Sequence, residues 1–157
     1  MQIRRATMSD APRIHSLIMS LTHRFMLSPT GEGGEAFFAS VSTASMQGYI
    51  GAPNFSFWVV EDGPRLLGMV ALRDNRHLFN LFIAAGNQRQ GLGSQLWQVA
   101  RDHALAHGNP GEFTVNASVN AVALYERFGF IASGPRVEQH GLAFVPMQLV
   151  APGSNSD

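Results

Sequence analysis

The chain has 157 residues, of which 45% are apolar and 14% charged. That is long enough to bury one core without metal or disulfide support, and too apolar to remain unfolded. Its 11 basic and 11 acidic residues cancel to a formal charge of zero, which excludes the long-range positive field that collects nucleic acid or anionic membrane. Cysteine and lysine are both absent from the sequence, so thiolate nucleophiles, cysteine metal sites, lysine Schiff bases and Walker-type phosphate loops are excluded too.

Residues 2–6 read as a short strand. Ser9 or Asp10 ahead of Pro12 marks a helix start, and Ile14, Leu17, Ile18 and Leu21 repeat at helical spacing toward about Phe25. A Ser/Pro/Thr/Gly loop over 28–34 leads to a helix over 35–47 with Phe37, Phe38 and Val41 on its apolar side. Around residue 55 the period becomes two, and 55–60 and 66–72, joined by Asp62-Gly63-Pro64, predict an antiparallel hairpin. A strand over 77–84 follows. Leu92, Leu96, Val99, Ala100 and His103 then form one stripe of a helix ended by Gly108-Asn109-Pro110.

Residues 113–118 alternate as a strand. Asn120 is placed to cap a short helix whose one face carries Ala121, Leu124, Tyr125 and Phe128, and Gly129 suits the left-handed position that ends it, with Phe130 folding back on Tyr125. Strands over 131–138 and 142–150 turn near His140-Gly141, and 151–157 reads as a disordered tail, leaving 1–150 as a single domain. Hairpins at both ends with a strand-helix-strand unit between them define an α+β class with a mixed sheet. No segment reaches the roughly 18 apolar residues that span a bilayer. The residues after Arg4-Arg5 are not the apolar run of a signal peptide, so a cytoplasmic protein is expected.

The segment Gln88-Arg89-Gln90-Gly91-Leu92-Gly93-Ser94 lies between a strong strand and a strong amphipathic helix. Its glycines let the backbone approach a ligand, and the first helical amides and the helix dipole favour an anion, so a phosphate can be held without lysine. Arg89 can add a charge-assisted contact. The same pattern can also simply start a helix, and Leu96 at the third-glycine position argues against a dinucleotide fingerprint. His103 and His107 have the spacing of a metal pair, but Ala104 stands where a zinc protease carries glutamate, and histidine suits a helix end. No metal site is expected.

A second segment, Asn116-Ala117-Ser118-Val119-Asn120-Ala121-Val122-Ala123-Leu124-Tyr125-Glu126-Arg127-Phe128-Gly129-Phe130, changes the weighing, its part from Asn120 onward above all. Taken together, the two segments resemble the GNAT superfamily of N-acetyltransferases, matching its Q/R-x-x-G-x-G/A acyl-CoA loop and its N-x-x-A-x-x-L-Y-E-x-x-G-F motif. The opening Ile3 to Thr7 and the closing Phe144 to Met147 also look like a small bacterial member, so the resemblance covers nearly the whole chain. Ala85 departs from it, standing where the family often has proline. The resemblance implies a mixed, mostly antiparallel sheet splayed between strands 4 and 5, flanked by about four helices, with acetyl-CoA as cosubstrate in the gap.

Carried over by position, Phe82, Ile83 and Ala84 would offer backbone groups to the pantetheine and the thioester carbonyl. The loop from Gln88 through Arg89, Gln90, Gly91, Leu92, Gly93 and Ser94 would cradle the pyrophosphate, and Asn116, Asn120 and Ala123 would line the cofactor arm. Tyr125 would protonate the departing thiolate, although its apolar helix face equally suits a core aromatic. His77 is the candidate base, with a water relay as its rival, since Asn80 cannot act as one. The acceptor, a primary amine on a small molecule or peptide, would sit between about 22–35 and 136–141. There the polar residues are His23, Arg24, Glu32, Glu35, Glu138 and His140. A homodimer is also expected, from the neutral surface and from the family's habit of pairing. The alternative from another class is a catalytically silent acyl-CoA-binding sensor.

Overall fold

The computed structural model describes residues 1–28 and 30–150. The expected tail over 151–157 therefore lies outside the described residues. Strand β1 (Gln2–Arg5) and helix α1 (Ala11–Leu21) open the chain, and α1 buries Ala11, Ile14, Leu17, Ile18 and Leu21, the stripe its spacing marks. The helix expected over 35–47 is two helices, α2 (Glu35–Ser40) and α3 (Thr43–Gly51). Ser42 breaks it by turning extended and accepting the Ser45 amide at 3.1 Å, which caps a new start. Strands β2 (Phe55–Asp62), β3 (Arg65–Arg73) and β4 (His77–Ile83) follow, then α4 (Leu92–Ala106), β5 (Phe113–Ser118) and α5 (Val122–Phe128). The described residues thus hold five α-helices where about four were expected.

Gly129 ends α5 at φ 103°, and the Phe130 amide donates to the Tyr125 carbonyl at 3.0 Å, the closure its glycine predicts. The strand expected over 131–138 is broken into β6 (Ile131–Ala132) and β7 (Val137–Gln139), because Pro135 between them has no amide for a ladder. Both pair with β8 (Leu142–Leu149), entered through left-handed His140 and Gly141.

One mixed sheet results, in the order β1-β2-β3-β4-β5-β8-β6 with β7 on β8, antiparallel except where β4 meets β5. These two parallel strands pair at His77↔Thr114 and Leu78↔Val115 and then part. Helices α4 and α5 cover one face around Trp97, Phe113 and Phe130; α1 and α3 cover the other around Ile14, Ile18 and Met46. Leu78 and Leu81 pack on the first core although they are three residues apart, which strict alternation forbids. A bulge at Phe79 supplies the extra residue and turns Phe79 and Phe82 together onto the second face. Gly68 lets β3 lie close under the end of β4, since a Cβ there would be 2.9 Å from the Phe82 carbonyl oxygen.

An ion network fixes the start of α1 to the sheet. Asp10, 2% exposed, accepts from Arg4 Nη1 and Nη2 at 2.9 Å, from Arg13 Nη2 at 2.8 Å and from the Thr7 amide at 2.8 Å. Arg4 also bonds Glu61 of β2 at 2.6 Å. At the far end of α4 the His103 and His107 rings stack at 4.1 Å, His103 meets Trp58 edge-on at 5.0 Å, and His107 Nδ1 donates to the His103 carbonyl at 2.7 Å. The pair closes a helix end, as its position predicts.

Candidate active site

Where β4 and β5 part, a cleft of about 490 Å³ opens. One wall is Leu81, Phe82 and Ile83 of β4; the floor is Asn87, Gln88, Arg89 and the stretch Gly91 to Ser94; the other wall runs from Ser118 through Asn120 to Leu124 and Arg127; and Leu21, Arg24 and Phe25 close the top. The loop is built for close approach. Arg89 and Gly91 take left-handed φ values of 65° and 79°, and nothing lies within 4 Å of where a Gly91 Cβ would stand. The first bond of α4 runs from the Gln95 amide to the Gly91 carbonyl at 3.1 Å, which leaves the amides before Gln95 without partners inside the helix. Three arginines (Arg24, Arg89 and Arg127) line the cleft and no carboxylate does, among the described residues. A chain of zero net charge thus holds a locally cationic cleft with free amides, suited to an anion.

Of the residues expected at the cofactor, Phe82, Ile83, Gln88, Arg89, Gly91, Leu92, Gly93, Ser94, Asn120 and Ala123 line this cleft. Four do not. Ala84 turns its amide onto the Leu67 carbonyl at 2.8 Å and lines a separate groove beside α1, and Gln90 is exposed outside the cleft. Asn116 is exposed on β5 opposite Pro146 of β8. Tyr125 is 6% exposed, its ring packed 5.9 Å from Phe128 and 5.7 Å from Phe130, while its neighbours Ala123 and Leu124 face the cleft. Burial pushes its phenol above the usual tyrosine range, so it stays protonated at physiological pH.

Asn120 is not a helix cap. It lies in the short turn Val119–Ala121 and sends its Nδ2 to the Arg24 carbonyl at 2.9 Å. Counted back from Leu124-Tyr125, the asparagine of the N-x-x-A-x-x-L-Y motif falls on Ser118 and its alanine on Ala121, both in the cleft wall. That spacing is the available signal for these two residues; Arg24, expected on the acceptor side, also lines the cleft, and nothing local marks Phe25 or Arg127.

His77 is not brought to the cleft. It sits at the closed end of the gap, and six residues of strand, about 20 Å, separate it from Ile83. Its Nδ1 is 2.8 Å from Thr114 Oγ1, and burial, helped by Arg73 and Arg76, brings its pKa down to about 4. His77→Ala is therefore expected to leave the acidic limb of a pH-rate profile in place. The depressed value acts on stability instead. The native state binds fewer protons than the unfolded one, so His77's contribution is present above the unfolded value of about 6.5 and is lost as pH falls toward 4. Urea midpoints across that window should flatten in His77→Gln, removing a slope of up to about 1.4 kcal/mol per pH unit; an unchanged slope would contradict this placement.

The two segments expected to form the acceptor side do meet. The Leu27 amide donates to the Gly141 carbonyl at 2.8 Å, and Met26 bridges to Leu142. Glycine is required at 141, where a Cβ would stand 2.9 Å from the Gly33 carbonyl carbon and the Gly34 nitrogen. The Phe25 ring lies 5.4 Å from Phe37 and 5.6 Å from Phe82, so the side of the cleft beneath these segments is aromatic.

Comparison with known proteins agrees with this geometry. The family described as an acetyltransferase (GNAT) domain matches residues 26–151. Among solved structures, the chain resembles a GCN5-related N-acetyltransferase from Rhodopseudomonas palustris (TM-score 0.77, 20% identity, 94% of each chain covered). It also resembles the PaiA N-acetyltransferase from Thermoplasma acidophilum, solved with coenzyme A (TM-score 0.75, 15% identity, 94% of this chain and 97% of that one). A variant of spermidine N-acetyltransferase SpeG from Vibrio cholerae is similar over 96% of this chain and 95% of its own (TM-score 0.65, 22% identity). No curated protein sequence matches. The chain belongs to the GNAT acetyltransferase family. No helix of the described residues is long and apolar enough to cross a membrane.

Proposed function

We propose that this chain transfers the acetyl group of acetyl-CoA directly to the primary amine of a small molecule or peptide. The observation that carries the reading is the cleft itself, cationic and amide-lined on its loop side and aromatic on the side where the two acceptor segments meet. Bound acetyl-CoA supplies the acyl thioester. The residues present fit its diphosphate: unpaired amides before Gln95, an open face at Gly91, and the cations Arg24, Arg89 and Arg127.

Phe82 and Ile83 stand where β4 has left β5, so no strand covers the gap side of this stretch, where the Ile83 carbonyl accepts only the Gln88 side chain, and an extended ligand can add there as a neighbouring strand would. Direct transfer suits a chain without cysteine, because no acyl-enzyme thiol exists to form. Tyr125, outside the cleft lining but beside the cleft residues Ala121 and Leu124, is the proposed hydrogen donor to the departing sulfur, a phenol that burial keeps protonated and makes a weaker acid. With His77 remote, the amine's proton leaves through water in this reading.

The test is acetyl-CoA turnover against a panel of amines, polyamines included because a spermidine acetyltransferase is among the structural neighbours. Thiol release is the readout, and since the protein has no thiol of its own, all signal comes from coenzyme A. Release with at least one amine supports the transferase. Tight CoA binding with no release from any amine supports the silent sensor instead. Tyr125→Phe keeps the ring among Phe128 and Phe130 and removes only the hydroxyl. Turnover should fall about tenfold or more with little change in the Michaelis constant for acetyl-CoA; unchanged turnover would make Tyr125 a core aromatic.

A further inference from the structure

Resting on that reading, we propose that Arg24 works at the site through two groups: its guanidinium holds the diphosphate of acyl-CoA, and its carbonyl, held by Asn120, sets the acceptor wall. A chain of hydrogen bonds crosses the cleft from β4 to the turn before α5. Gln88 Nε2 donates to the Ile83 carbonyl at 3.2 Å, Arg24 Nη1 donates to Gln88 Oε1 at 2.6 Å, and Asn120 Nδ2 donates to the Arg24 carbonyl at 2.9 Å. Arg24 is thus the middle member, joined through its side chain to the phosphate loop and through its main chain to the opposite wall.

The neutral amide oxygen of Gln88 is a weak partner for a guanidinium. A diphosphate offers the same donors charged, paired acceptors, which are shorter and roughly twice as strong. No ion pair engages Arg24, Arg89 or Arg127 among the described residues, so their charge is available to an anion. The main-chain half of the device points elsewhere. Residue 24 is followed directly by Phe25, whose ring meets Phe82, and by Met26 and Leu27, which are bonded to the hairpin at Gly141 and Leu142. Whatever fixes residue 24 fixes the start of the acceptor wall.

Calorimetric titration with CoA and, separately, with pantetheine, which lacks the nucleotide diphosphate, tests the first duty. Arg24→Gln should weaken CoA binding about tenfold to a hundredfold and leave pantetheine unchanged, with Arg24→Lys restoring part of the loss. Equal weakening of both ligands, or of neither, overturns it. Arg24 is exposed, so the variants retain their core. Asn120→Ala tests the second duty: the Michaelis constant for the amine should rise while CoA affinity changes by less than about threefold. A fall in CoA affinity matching that of Arg24→Gln makes Asn120 a cofactor contact and overturns the coupling. Wild-type protein that binds neither CoA nor pantetheine would instead refute the proposed function as a whole.

Discussion

Gly91→Val is expected to abolish acyl-CoA binding and leave the fold standing. Gly91 sits at φ 79° with ψ 5° immediately before Leu92, a conformation that L residues adopt at a cost of about 1–2 kcal/mol and that β-branched residues adopt least. No atom lies within 4 Å of its would-be Cβ, so valine meets no clash in the free protein and the added branches stand in open cleft. The strain is small against the roughly 5–15 kcal/mol of an ordinary domain. Ligand binding has no such margin, because the new side chain occupies the space above the unpaired amides. Calorimetry with CoA should show no heat of binding in a variant whose circular dichroism and melting are near wild type. Binding of CoA with unchanged affinity would remove the diphosphate from this loop.

The largest effect on stability is expected at Asp10. Asp10→Ala strips Arg4, Arg13 and the Thr7 amide of their common acceptor and leaves two guanidinium groups sharing Glu61. Loss of one partner from a buried pair costs about 3–5 kcal/mol, but the arginines are about a third exposed and can turn to water, so about 2–3 kcal/mol is expected. For a chain of this length that is a fall of roughly 5–10 °C in melting temperature. The Arg4 guanidinium holds the Asp10 carboxyl well below the usual carboxylate range. Its stabilisation is therefore complete above the unfolded value of about 3.9 and is lost only as pH falls below that. Wild type and variant should differ in urea midpoint by a constant amount at neutral pH and converge in strong acid. Equal midpoints at pH 7 would show that the network contributes nothing.

The features legible in the sequence are those decided by near neighbours. Strand β5 spans 113–118 as its alternation predicts, and α4 buries Leu92, Leu96 and Ala100 from the stripe its spacing marks. The turn at Gly91 into α4 is legible because its glycines and the helix that follows are local signals. Ser42 was not, because Phe37, Phe38 and Val41 carry an apolar pattern up to a break announced only by a serine able to cap. The bulge at Phe79 has no glycine or proline to mark it and shows only in which core each residue meets. Asn120 has the chemistry of a cap, yet its partner is 96 residues away, and the partner of Arg24 is 64 residues away. His77 lies on the right strand at the wrong end, and which end of a parallel pair opens depends on pairing, not on local pattern.

That pairing also decides how the molecule yields. Within each half, β1 to β4 on one side and β5 with β6, β7 and β8 on the other, antiparallel ladders hold the strands as a stiff plate. The plates share a seam of two residue pairs, with the His77–Thr114 hydrogen bond lying along it. The open end lies about 16 Å beyond the seam, so a tilt of about 5° there moves the walls by about 1.5 Å, enough to make or break every hydrogen bond to a bound ligand. The separation of the cleft walls is therefore set at His77 and Leu78, where the two ladders join, and not by any residue that lines the cleft.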